Sequence, residues 1–64
     1  MKIKDIIELI SDVKVNIEII EKNSGASFGI YTNKSVFQRE LVEKYVKEIN
    51  VQYIDGKRIL IIKF

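Results

Sequence analysis

Asp55-Gly56 constrains this chain more than any other stretch, because it sits between two β-rich runs, "NVQYI" and "KRILIIKF". A two-residue connection of this kind predicts a type I′ hairpin, since both turn residues need positive φ. The turn also sets the register. Ile54 faces Lys57, Tyr53 faces Arg58, Gln52 faces Ile59 and Val51 faces Leu60, and paired residues share a face. One face then carries Val51, Tyr53, Leu60, Ile62 and Phe64. The other carries Gln52, Ile54, Lys57, Ile59, Ile61 and Lys63. The last strand is therefore apolar on both sides, and both sides call for cover.

The rest of the chain offers limited material for that cover. Its 64 residues make one domain, spanning 1–64, near the lower size limit for independent folding. Small scaffolds are often stapled, but there is no cysteine for a disulfide and no histidine for a metal. A hydrophobic fraction of 47%, rich in isoleucine and valine, excludes disorder. What remains is a well-packed core or oligomerisation.

Periodicity locates the other elements. In "MKIKDIIELISDV", Ile3, Ile6, Ile7 and Ile10 recur at helical spacing. "VKVNIEIIEK" changes to period two, with Val13, Val15, Ile17 and Ile19 on one side of a strand. "NSGA" reads as a loop and "SFGIYT" as a second strand, with Phe28 and Ile30 on one side, Tyr31 on the other and Gly29 marking either a bulge or a close approach. "NKSVFQRELVEKYVKEIN" predicts the longest helix. Phe37, Leu41, Val42, Tyr45, Val46 and Ile49 form its stripe. Ser35 and Gln38 fit a capping box, Asn33 is a rival cap, and Glu40–Lys44 and Glu43–Lys47 are spaced as helical ion pairs.

The order is αββαββ, and weak similarity between the halves is compatible with an internal duplication. The expected fold class is α+β. It would have two layers, with a four-stranded antiparallel sheet and both helices packed on one face. The other sheet face is then left to solvent or to a partner.

Chemistry is sparse in this sequence. No histidine or cysteine exists to build a catalytic triad, and "SGASFG" lacks the spacing of a phosphate loop. We expect no enzyme, no metal site and no cofactor. Two binding surfaces compete instead. Lys57, Arg58 and Lys63, with Tyr53 as a stacking group, would suit a small nucleic-acid-binding regulator. The net charge of +2, from 11 basic and 9 acidic residues, is modest for that role and wrong for an acidic DNA mimic. Ile20, Ile54, Ile59 and Ile61, with Tyr31 beside them, would form an apolar patch on the open sheet face. A contiguous patch of that kind marks an interface, with a protein partner or a second copy in a homo-oligomer such as a dimer. The charged start without a long apolar run predicts no signal peptide, and no segment reaches a membrane span, so the expected location is cytoplasmic.

The opening "MKIKDIIELI", with the chain's short length and its lysine and isoleucine bias, resembles small accessory proteins of phages and prophages in low-GC Gram-positive bacteria. That group includes anti-CRISPR inhibitors of CRISPR nucleases. The resemblance rests on Met1, Ile3, Asp5, Ile6 and Ile7 and covers the first ten residues. It implies a phage-encoded inhibitor of a host defence protein, acting in the host cytoplasm. The chain departs from the acidic, DNA-mimicking members by its charge, so the implied route is apolar contact. No functional residues carry over.

Overall fold

A computed structural model describes residues 1–12, 14–32 and 35–64. The expectations for Val13 and Asn33 fall outside the described residues. The chain order is α1 (Ile3–Leu9), β1 (Asn16–Ile20), β2 (Ser27–Thr32), α2 (Arg39–Val42), β3 (Glu48–Ile54) and β4 (Lys57–Lys63). This is the αββαββ order of the sequence. Among the described residues no helix is long and apolar enough to cross a membrane.

α1 begins where Lys2 and Asp5 hold each other. The Lys2 backbone N–H donates to Asp5 Oδ2 at 2.9 Å, and the Asp5 N–H donates to the Lys2 carbonyl at 3.0 Å. Only the Asp5 half of a capping box is present, since the Lys2 carbonyl and not its side chain takes the Asp5 N–H. Ile3 and Ile6 are buried, as the spacing predicts.

The sheet is mixed, which corrects the antiparallel expectation. Its strand order is β2-β1-β4-β3. β1 pairs antiparallel with β2, and β3 with β4, but β1 and β4 run parallel. The reason lies in the connection between hairpins. β2 ends beside the start of β1, with Thr32 opposite Asn16, while β3 begins beside the end of β4, with Glu48 opposite Lys63. The described segment 35–47 carries the chain back along the sheet, so β3 points the same way as β2. β4 must then point the same way as β1.

α2 is the second correction, because the long helix expected over residues 33–50 is not formed among the described residues 35–50. Helix there covers Arg39–Val42 only, and Glu48, Ile49 and Asn50 join β3 opposite Lys63, Ile62 and Ile61. Without them one side of the end of β4 would lack backbone partners, and unpaired buried backbone groups are costly. A helix of this length is marginal on its own. Ser35 does not cap it. The Ser35 Oγ accepts the Thr32 N–H at 3.1 Å and closes the turn after β2. Glu43 does not pair along a helix with Lys47; its carboxylate holds Lys2 at 2.7 Å and Lys4 at 2.9 Å. The backbone around Tyr45 instead bridges to Lys2, with Ile3 N–H on the Lys44 carbonyl and Val46 N–H on the Met1 carbonyl.

The core is a cluster of isoleucines. Ile3, Ile6, Ile17, Ile19 and Ile62 form it, and Leu41, Val42, Val46, Leu60 and Phe64 are among those packed against it. Full burial of each isoleucine contributes about 1.5–3 kcal/mol. Registered pairs put Ile17, Ile19, Leu60 and Ile62 on one sheet face, here the core face. Asn16, Glu18, Ile20, Ile59, Ile61 and Lys63 lie on the reverse face.

Candidate interaction surfaces

The Asp-Gly turn forms as the sequence predicts. Asp55 and Gly56 have φ of 52° and 76°, and Ile54 pairs with Lys57 across them. Every pair expected from the turn is present, from Tyr53–Arg58 to Val51–Leu60. The register thus sets Ile54, Ile59, Ile61 and Ile20 on one face, as expected.

Their exposure differs from the expectation. Ile59 and Ile61 are buried, at 7% and 4% exposure. β4 is a central strand, so Ile59 lies between Asn16 and Gln52, and Ile61 between Glu18 and Asn50. Each is enclosed from both sides within the sheet. Ile20 is half-buried and only Ile54 is well exposed. These four do not make an open apolar patch.

Tyr31 leaves the group altogether. It pairs with Ile17 on the core face, packs against the core and meets the Phe37 ring at 5.1 Å between centroids. A bulge explains the change. Opposite Ile19, β2 inserts both Phe28 and Gly29, and Gly29 has φ of 108°. The extra residue reverses the alternation. Ile30 therefore moves to the reverse face, opposite Glu18, while Phe28 meets Phe64 edge-on at 5.3 Å. Gly29 is favoured here by its backbone: its φ is unsuited to a side chain, although a Cβ would find only ordinary contact with Tyr31, 3.5 Å from the hydroxyl.

The basic set also divides. Lys63 is engaged by Glu48 at 3.2 Å, and Lys22 reaches the same carboxylate at 3.3 Å. Arg58 lies over the Tyr53 ring at 5.8 Å, on the opposite face from Lys57. A shallow cleft of about 490 Å³ joins Lys57 and Arg58 to Lys14, Val15 and Asn16. Lys14 was not singled out in the sequence, because it comes from the far end of the chain.

Two carboxylates are tuned by lysines. The Glu43 carboxyl is lowered to about 2, first by its hydrogen bond from Lys2 and then by that from Lys4. Lys2 is correspondingly raised by the same contact. The Glu48 carboxyl is lowered to about 2 by hydrogen bonds from Asn50, Lys63 and Lys22, in that order. These contacts tie segment ends together.

Two further features emerge only in three dimensions. The first is a cleft of about 480 Å³ lined by all three phenylalanines, Phe28, Phe37 and Phe64, together with Tyr31, Leu41 and Lys44. The Lys44 ammonium lies 5.9 Å from the Phe64 ring centre. The second is strand β3. Val51 and Tyr53 were expected in the core, yet they are 54% and 69% exposed, and Ile49 and Ile54 are each 44% exposed. β3 is an edge strand, and short helices leave the core ending at β4. One signal in the sequence pointed there. "ILIIKF" is more apolar than "NVQYI", and the more apolar strand of a hairpin takes the central place.

No protein-family model, curated protein or solved structure matches the chain.

Proposed function

We propose that the chain is a small non-enzymatic binding protein acting by protein–protein contact, and that the contact runs along β3. One observation carries this reading: four large apolar side chains are exposed on a single free-edge strand. An edge strand offers a row of unpaired N–H and C=O groups, and a partner strand added there gains backbone hydrogen bonds and side-chain contacts together. β3 carries none of the usual guards except Glu48 at its start.

The reading takes the fold as two layers, with both helices on the core face. The packing of Ile3, Ile6 and Leu41 with Ile17, Ile19 and Ile62 supports that arrangement. It also replaces the open face by the β3 edge, because burial of Ile59 and Ile61 leaves little to dock on. The resemblance of the opening helix to phage accessory proteins supplies the setting, inhibition of a host defence protein in the host cytoplasm.

The test is parallel affinity capture from host extract by wild type and by Val51→Lys. A protein retained by the wild type and released by the variant supports the reading. Identical capture by both removes β3 from it.

A second reading has its own observation, the gathering of Lys14, Lys57 and Arg58 around one cleft with Arg58 over Tyr53. This would hold a single-stranded nucleic acid by phosphate contact and stacking. Such binding weakens steeply with salt, whereas apolar strand addition does not. Lys14→Ala with Lys57→Ala should then abolish retention on immobilised single-stranded DNA; unchanged retention excludes this cleft.

A further inference from the structure

We infer that β3 pairs with β3 of a second copy of this chain, antiparallel about a two-fold axis passing at Val51. The inference rests on the reading of β3 as the contact strand and adds the identity of the occupant.

Hydrogen-bond direction comes first. A two-residue hairpin closes on a hydrogen-bonded pair, here Ile54 and Lys57, and such pairs alternate along the ladder. Gln52–Ile59 and Asn50–Ile61 are then also bonded pairs, so the even-numbered residues of β3 direct their backbone groups to β4. Ile49, Val51 and Tyr53 direct theirs to the free edge. A strand added there must bond to these three, which are also the exposed apolar residues of the core face.

Self-pairing about Val51 gives every residue of β3 a partner in β3. Val51 meets Val51 of the second copy, and Ile49 meets Tyr53. On the reverse face Asn50 meets Gln52, amide against amide. Glu48 meets Ile54, and the Glu48 charge is already held by Lys22 and Lys63. Just past the strand ends, Lys47 comes level with Asp55 of the second copy, a pair of opposite charges repeated at both ends. All seven residues of β3 overlap in this register. Moving the axis to Asn50 sets Tyr53 against Lys47, leaves Ile54 without a partner in β3 and separates Lys47 from Asp55. The Val51 register thus matches apolar with apolar, amide with amide and Lys47 with Asp55, and leaves Glu48 against Ile54 as its one mixed pair.

β2 could not serve this purpose. Its bulge at Phe28 and Gly29 breaks the straight run of backbone groups that pairing needs.

The experiment is sedimentation equilibrium of the wild type, of Val51→Lys, of Val51→Glu, and of the two variants mixed. We expect a dimer for the wild type and monomers for each variant alone, with association at least tenfold weaker, because like charges then face each other at the axis. The mixture should regain a dimer containing one copy of each. A variant that still associates like the wild type, or a mixture that stays monomeric, overturns the inference. Oxidation of Val51→Cys gives a second measurement that does not depend on the charged variants folding. The chain has no other cysteine, so a rapid covalent dimer supports the axis at Val51, and no enrichment over Ile30→Cys overturns it. A wild type that stays monomeric, yet loses a host protein on Val51→Lys, overturns self-pairing alone and leaves β3 as the contact strand.

Discussion

The two hairpins of this protein occupy opposite halves of one sheet and treat their outer edges differently. β1–β2 is irregular. Its outer strand carries a bulge, a glycine at φ of 108° and a tyrosine whose hydroxyl donates to the Phe28 carbonyl at 2.6 Å. β3–β4 is regular from Glu48–Lys63 to Ile54–Lys57, with a tight turn and a straight outer strand. A bulge twists an edge away from further pairing, whereas a straight apolar edge invites it. The first hairpin therefore ends the sheet, and the second leaves it open.

Four changes would break or sharpen that contrast. Ile19 and Ile62 are registered neighbours at the centre, one in each hairpin, and both are wholly buried. Ile19→Ala and Ile62→Ala should each cost about 2–5 kcal/mol in urea unfolding. Both variants should keep a single transition, since the hairpins share one core; two transitions would make them separate units.

The turn glycines come next. Gly29→Ala meets a φ of 108°, well beyond the left-handed region that side chains can adopt, and should cost about 1–3 kcal/mol. Gly56→Ala has open space around it and pays only for positive φ, about 1–2 kcal/mol. Thermal unfolding should rank Gly29→Ala as the more damaging. The reverse order would mean that the register lock matters more than the bulge.

Acid should act on the ties at segment ends. Glu43 and Glu48 titrate near 2 when folded, against an ordinary value of 4.5. Their contribution is complete above about pH 4.5 and is lost as pH falls toward 2, because the unfolded chain takes up the protons first. Both carboxylates and most of their lysine partners are half-buried and open to solvent on one side, so salt should shrink the effect. Melting temperatures between these two pH values should fall less steeply in Glu43→Gln and Glu48→Gln; an unchanged slope would remove these pairs from the account.

The smallest effect separates edge from core. Ile30 on β2 and Val51 on β3 are both exposed, so lysine at either should change monomer stability within about 0.5 kcal/mol, measured by urea unfolding. Any larger loss at Val51 alone would mean that folding and pairing along β3 are coupled.

Local chemistry decided several elements in advance. The stripe of Ile3, Ile6, Ile7 and Ile10 marks α1 for packing on one face, and Asp55-Gly56 favours one turn and so one register. Both follow from contacts a few residues apart. The faces of Ile54, Ile59 and Ile61 were legible for that reason. Their burial was not, because it depends on which strands flank β4. Tyr31 was assigned to the wrong face because a bulge changes parity without changing the pattern of residue types around it.

By itself the sequence determined the order of elements, the terminal hairpin and an isoleucine core. The direction of the sheet, the shortening of α2 and the exposure of β3 were decided only in the tertiary structure. Residues 48–50 carry a helical pattern and a strand pattern at once, and the backbone of β4 at Ile61–Lys63 offers hydrogen bonds that an isolated helix end cannot match. Pairing partners distant in the chain settled that competition, and no local window contains them.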